Sequence, residues 1–256
     1  MEYKVRSKKL LTVTLLSLFF YAFPVAVIAA PLITPLIKIG DTTIVHNKIC
    51  QHLNVFCNDD NGYTVYKLKG SDSDFYLINK SHNLIEVNVV DENYKKVNQW
   101  NFGDYHHSNE SIDNSDDILS RVGYEIYPAI YPIGKNDKAI ALVYKWFTGY
   151  AGGGRENDYA DFLTIEKNGK FNVAFQNILF YQSEIMRACF TDSDYKKHSH
   201  CQDESWSILN IHIIDDGEQY YKWKLLTKSY DWPSFEDKEK TKVEINSETV
   251  IPFQQK

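Results

Sequence analysis

The chain has 256 residues, of which 43% are hydrophobic and 24% are charged, and its formal net charge is −6 at pH 7. This composition is typical of a folded protein and excludes disordered, collagen-like and coiled-coil chains. Phosphate backbones and anionic lipids attract clustered Lys and Arg, so we expect this acidic chain to bind neither nucleic acid nor a membrane surface.

The N-terminal segment has the organisation of a secretory signal peptide. Basic residues precede an apolar stretch from Leu10 to about Phe20, and small residues follow up to Ala30. This pattern predicts a signal peptide over residues 1–29 and export to the periplasm as a non-lipidated protein. The alternative is an uncleaved membrane anchor facing the periplasm, although prolines interrupt the apolar stretch. We interpret residues 30–256 as a single β-rich exported domain.

Four cysteines follow this segment, and an even number in an oxidising compartment predicts two disulfides. Three pairings are possible, and loop closure favours the local ones because each encloses a short stretch of chain. The competing interpretation is a zinc site that adds His198 and His200, but the ligand spacing differs from that of known zinc sites. We therefore expect no metal and no cofactor. The predicted pairs are Cys50–Cys57 and Cys189–Cys201.

Alternating apolar and polar residues with frequent turn signals predict about eleven β-strands from Gly62 onward. Tight hairpins are predicted at Asn168-Gly169 and Asp216-Gly217, because these pairs supply the positive φ angles that such turns need. A looser hairpin is predicted at residues 91–93, and helix only at residues 116–122 and 183–188. Strands without intervening helices indicate an all-β fold. We expect an antiparallel β-sandwich or a meander-built sheet, with a propeller-like arrangement as the alternative.

A glycine-rich segment, residues 149–155, follows one of the apolar strands. Its bare backbone can approach an anionic group, with Arg155 supplying charge and Tyr150 a ring. The alternative is a flexible hairpin whose glycines provide unusual dihedral angles. Tyr150 and Arg155 are therefore candidate binding residues.

The segment from Arg187 to Glu204 is the densest polar stretch. Its carboxylates resemble a set of calcium ligands but lack the spacing of a calcium-binding loop, so a disulfide-closed surface loop is the preferred interpretation. We expect the neighbouring His106 and His107 on the surface, and Trp232, in a turn before a proline, to be the most exposed tryptophan. The candidate binding residues here are Asp192, Asp194, Asp203, Glu204 and Trp232.

A resemblance adds to this interpretation. Gly152-Gly-Gly154, followed by Arg187-Ala-Cys-Phe, Asp194 and Cys201-Gln-Asp-Glu204, resembles a group of exported proteins from Gram-negative bacteria that carry no assigned function. The similarity covers residues 149–204. It implies a periplasmic location and a paired Cys189–Cys201, and it implies no reaction.

Common hydrolase and nucleotide-binding motifs are absent from the sequence, so we predict a non-catalytic binding protein. Function concentrates on loops, and an acidic chain favours a basic protein partner. The specific hypothesis is an inhibitor or immunity-type protein that acts on a basic envelope-active or toxic enzyme. One alternative is a carbohydrate- or peptidoglycan-binding protein, because 14% of the residues are aromatic. A second is a hydrolase of unrecognised type, for example with His212 facing a carboxylate.

Overall fold

The computed structural model describes residues 31–58, 62–107 and 120–254. The predicted signal peptide lies outside these residues. So does the acidic segment of residues 110–117, which the sequence also offers as a candidate for binding a basic partner. Within them the chain is almost entirely β-sheet with two short helices. The all-β prediction is therefore confirmed.

Twelve strands and two helices make up the described part of the chain. In chain order they are β1 (Thr34–Lys38), α1 (Ile44–Leu53), β2 (Tyr63–Leu68), β3 (Asp74–Asn79), β4 (Asn83–Val90), β5 (Asn93–Asn101), β6 (Ser120–Pro132), β7 (Lys138–Tyr150), β8 (Gly153–Thr164), β9 (Val173–Arg187), α2 (Asp192–Lys197), β10 (Gln202–Ile214), β11 (Lys222–Trp232) and β12 (Lys242–Val250).

These strands form one sheet in the order β12-β11-β10-β9-β8-β7-β6-β1-β2-β3-β4-β5. Every described neighbouring pair is antiparallel, and most neighbours are consecutive in the chain. The exception is β1, which lies between β6 and β2 and joins two meanders. The sheet is thus built from meanders, which is one of the two forms predicted from the sequence.

The sheet curves so that its two ends cover opposite faces of its middle strands. Alternate residues of β7 point into two different cores, with Val143 in one and Tyr144 in the other. Tyr144 packs in a cluster with Trp100 of β5, while Val143 shares a cluster with Trp223 of β11. Ile49 of α1 packs on the outer face of β2–β4. Face-to-face packing therefore exists, but within one continuous sheet rather than two separate sheets or propeller blades.

All three predicted hairpins are present, but their turns differ in part from the prediction. Asn168 and Gly169 both have positive φ, 65° and 75°, between β8 and β9. Between β10 and β11 Gly217 has φ 86° but Asp216 has no positive φ, and Ile214 pairs with Lys222, so this connection is longer than the tight turn predicted. The turn predicted as looser is a two-residue turn, because Val90 pairs with Asn93 and Asp91 and Glu92 have φ 51° and 63°. Type I′ turns need such angles, because their twist matches that of the flanking strands.

The helix predictions were less accurate. Residues 183–188 are not helical, since 183–187 belong to β9 and Ser183 pairs with Trp206 of β10. Of the second segment, residues 120–122 lie in β6 and the rest falls outside the described residues. Helix α1 was missed, although Thr43 caps it by accepting the backbone N–H of His46 at 3.2 Å. Cross-strand pairing overrides local helix preference in β9.

Candidate functional site

Most of the predicted binding residues lie at one end of the sheet. The antiparallel register places Gly153 opposite Met186, and Glu204 lies next to both Ile185 and Trp232. The β7–β8 hairpin, the β9–β10 connection and the β11–β12 connection therefore meet at the same end. We call this end, formed by residues 147–156, 184–204 and 230–241, the rim.

The β7–β8 hairpin reaches the rim through an unusually close approach of two strands. A Cβ atom on Gly153 would lie 1.7 Å from the carbonyl oxygen of Ile185, so no larger residue fits there. None of the glycines 152–154 has a positive φ, so at Gly153 close packing rather than an unusual dihedral angle requires glycine. The Tyr150 hydroxyl donates to Glu184 Oε1 at 3.3 Å, and Arg155 Nε donates to Asn157 Oδ1 at 3.4 Å.

The β9–β10 connection is a loop closed by the Cys189–Cys201 disulfide, and it contains α2. Asp194 forms a capping box with Thr191, and its carboxylate accepts the backbone N–H groups of Phe190 and Thr191 at 3.1 and 2.9 Å. These hydrogen bonds, that from Phe190 above all, lower the pKa of Asp194. Asp194 thus holds the loop together, whereas Asp192 is exposed on the first turn of α2.

The β11–β12 connection is tied to the disulfide loop by two predicted residues. Asp203 Oδ1 accepts the backbone N–H of Ser234 at 2.8 Å. Trp232 stacks on His200 with ring centroids 3.6 Å apart and donates its indole N–H to the carbonyl of Glu236 at 3.0 Å. Asp203 and Trp232 therefore join the loops of the rim, and Trp232 is partly buried rather than prominently exposed.

Three exposed aromatic side chains of the β9–β10 and β11–β12 connections were not among the predicted residues. Phe190 is 70% exposed, Tyr195 55% and Phe235 48%, each on a different part of the two connections. The Arg187 guanidinium lies 5.1 Å from the Phe190 ring centroid. Exposed aromatics on a rigid framework, bordered by charged groups, are typical of protein-binding surfaces.

A second polar cluster is buried in the middle of the sheet. Asp161 of β8 is fully buried and accepts hydrogen bonds from Tyr105 Oη at 2.9 Å, His107 Nδ1 at 2.6 Å and the Asn177 backbone at 2.8 Å. Burial raises the pKa of the Tyr105 hydroxyl. Within the described residues, His107 Nε2 is buried and has no hydrogen-bond partner.

The structure corrects the expected position of His107 and gives no support to a catalytic His212. His107 was expected on a surface loop, but its ring is buried and stacks on Tyr144 at 4.3 Å; only His106 is exposed. His212 is exposed on β10 and pairs across the sheet with Lys224 rather than with a carboxylate. The chain provides no local signal for the first contact, since His107 and Asp161 are 54 residues apart.

Both predicted disulfides are present, and the described residues include no free cysteine. The sulfurs of Cys189 and Cys201 are therefore not thiolates, which removes the zinc site considered above. The only close group of metal-ligand types in the described residues is His46 with Cys50 and Cys57, and its two sulfurs are also bonded to each other. Two disulfides indicate an oxidising compartment.

Two further observations concern the chain as a whole. No helix among the described residues is both long and apolar enough to cross a membrane. No family model, curated protein or solved structure matches the chain. Its function must therefore be argued from the geometry of its own residues.

Proposed function

We propose that this chain is a periplasmic, non-catalytic binding protein that recognises a basic protein partner through the rim. The proposal rests above all on Phe190 and Tyr195, which expose 70% and 55% of their surface on a loop closed by a disulfide. Burying large aromatic side chains supplies much of the free energy of protein association. Two exposed rings on one crosslinked loop suit a surface that a partner covers.

The construction of the loop supports the same role. Association normally costs free energy to order the loops of an interface. Here the Cys189–Cys201 disulfide and the Thr191–Asp194 capping box fix the loop in advance. A partner that docks on the rim therefore meets a largely ordered surface, as in inhibitors that block an enzyme with a rigid loop.

The charge of the chain points to a basic partner. With a net charge of −6, the chain attracts cationic proteins and speeds their encounter. In the periplasm, basic enzymes that act on the envelope and basic toxins fit this description. We propose an inhibitor or immunity-type protein of this kind.

The test compares wild-type protein with a Phe190→Ala, Tyr195→Ala double variant, each immobilised and exposed to periplasmic extract at low and moderate salt. Phe56→Ala is the matched control, because Phe56 is 68% exposed but lies after α1, outside the rim. We expect a basic protein to be retained by wild type and control, lost by the double variant, and released by salt. Retention of no basic protein by the wild type, or equal retention by all three, contradicts the proposal.

One observation favours a second candidate function, a hydrolase. A buried carboxylate that accepts from His Nδ1 orients the imidazole as an acid orients a general base, and here Nε2 is buried without a partner among the described residues. Asp161 and His107 have this arrangement, with 2.6 Å between Oδ2 and Nδ1. Turnover of ester, amide or glycoside substrates by wild type, abolished in His107→Gln, would favour this candidate; equal rates in both proteins would remove it.

A further inference from the structure

A cavity of about 1040 Å³ lies at the end of β7–β9 opposite the rim. The start of β7, the end of β8, the start of β9 and the segment after β12 surround it. Its volume is at the upper end of the range of small-molecule sites. Because β7 has 13 residues, the cavity and the rim are separated by roughly 40 Å of strand.

Five carboxamide side chains contribute to the polar lining of the cavity. Two basic side chains and three acidic ones also line it, so its charge is nearly balanced. Each carboxamide offers both donors and an acceptor, which matches hydroxyl groups better than it matches an ion. The carboxamide residues are Asn136, Asn172, Gln176, Asn177 and Gln254.

Asn177 is the most constrained of these residues. It has φ 56°, which costs energy in a residue other than glycine, and its backbone N–H is held by the buried Asp161 at 2.8 Å. Within the described residues its side-chain Oδ1 is buried without a hydrogen-bond partner. A buried unpaired acceptor is destabilising. Because Oδ1 is buried, Asn177 shapes the wall of the cavity next to Asp161 and does not present this oxygen to a ligand.

An aromatic pair lies beside the carboxamides. The rings of Tyr220 and Phe253 are 5.0 Å apart, and Phe253 is 41% exposed at φ 64°. Its backbone N–H donates to the carbonyl of Ala174 at 2.9 Å, which fixes the C-terminal segment against β9. An aromatic face next to hydrogen-bonding amides suits a ligand that is apolar on one side and hydroxylated at its edges.

We propose that this cavity binds a neutral saccharide, with Phe253 packing against the face of a sugar ring and the exposed carboxamides of Asn136 and Gln254 hydrogen-bonding to its hydroxyl groups. The near balance of charge in the lining disfavours an anionic or cationic ligand, and the carboxamides satisfy hydroxyl groups. The site is separate from the rim, so it adds a second binding activity to the proposed protein recognition.

The test titrates the full chain with neutral oligosaccharides, namely cellotetraose, maltotetraose and chitotetraose, and with an oligogalacturonate as the anionic comparison. Calorimetry should show binding of at least one neutral oligosaccharide in the micromolar to millimolar range and no binding of the anionic one. Phe253→Ala and Asn136→Ala should each weaken binding by about tenfold or more. Both residues are exposed in the cavity, so neither change removes a buried contact.

Two further variants distinguish a loss of saccharide binding from a loss of folding. Gln254→Ala changes an exposed cavity residue, so it should weaken binding without affecting folding, whereas Phe56→Ala should bind as wild type does. Absence of neutral-saccharide binding, preference for the anionic oligosaccharide, or equal binding by all cavity variants overturns the proposal. The rim variant Phe190→Ala, Tyr195→Ala should retain saccharide binding, so failure at one site is distinguishable from failure at the other.

Discussion

His107 Nδ1 lies 2.6 Å from Asp161 Oδ2, and both side chains are almost completely removed from solvent. The same carboxylate also accepts from Tyr105 and from the backbone of Asn177. Asp161 therefore joins the segment after β5, strand β8 and strand β9 at one point. It also supports the cavity, because Asn177 is one of the cavity residues.

Replacing Asp161 should be costly. Asp161→Ala leaves three buried donors without their acceptor, and removing one partner of a buried polar cluster typically costs about 3–5 kcal/mol. Urea unfolding at neutral pH measures the change. Asp104→Ala changes an exposed carboxylate next to Tyr105 in the chain, and it should alter the free energy of unfolding by less than about 0.5 kcal/mol. Equal stability of the two variants would contradict the role assigned to this cluster.

The local parts of the fold could be predicted from the sequence, because their signals are local. Asn168-Gly169 specifies a hairpin through the angles that it tolerates, and alternating residues mark the strands. The insertion of β1 between β6 and β2 depends on contacts between distant segments, with Thr34 opposite Ile130. Likewise, the Trp100 indole N–H donates to the carbonyls of Glu166 and Lys170, and this contact follows from the curvature of the whole sheet.

The two candidate sites also differ in how far the sequence could predict them. The disulfide loop of the rim was recognisable from its paired cysteines and dense polar residues, and the hairpin from its glycines. Phe190 also lies in the disulfide loop, but nothing in the sequence separates this exposed phenylalanine from one that packs in a core. The cavity combines residues from five parts of the chain, including Asn177 and Phe253, so no spacing of residue types could have indicated it.

Two neighbouring glycines allow a test of strand packing at the rim. Gly153→Ala would place a methyl group 1.7 Å from the Ile185 carbonyl oxygen, whereas the nearest atom to a Cβ on Gly152 is Arg187 Cβ at 3.5 Å. Forced overpacking costs about 1–3 kcal/mol. We expect Gly153→Ala to lower the free energy of unfolding by at least this amount and to weaken partner binding, with Gly152→Ala close to wild type. Denaturation curves of both variants decide the matter, and a well-tolerated Gly153→Ala would show that the strands are not held this closely.

The Cys189–Cys201 disulfide should matter for both stability and recognition. In the chain-entropy model, a crosslink between residues separated by 12 positions contributes about 3 kcal/mol. The Cys189→Ser, Cys201→Ser variant should lose roughly this amount and bind the rim partner more weakly, because the loop must then be ordered on binding. Cys50→Ser, Cys57→Ser is the control: it should lose a comparable amount of stability but retain partner binding. Undiminished partner binding by the first variant would show that the rim does not depend on its crosslink.

Asp158 gives a pH dependence whose sign follows from its surroundings. Partial burial and the nearby Glu156 raise its pKa to about 6, and the cross-strand Lys145 only partly offsets them. Since the folded state holds this proton more tightly than the unfolded state, stability falls as pH rises from about 4 to about 6, and the loss is complete above that range. Asp158→Asn should therefore stabilise the protein at pH 7.5 but not at pH 4. Because the side chain is partly exposed, solvent screening limits the gain to about 1 kcal/mol. Chemical denaturation at both pH values measures the change in the free energy of unfolding. The control is Glu244→Gln, an exposed position on β12, whose effect on stability should be the same at both pH values. If Asp158→Asn stabilises the protein equally at pH 4, then packing rather than charge is responsible.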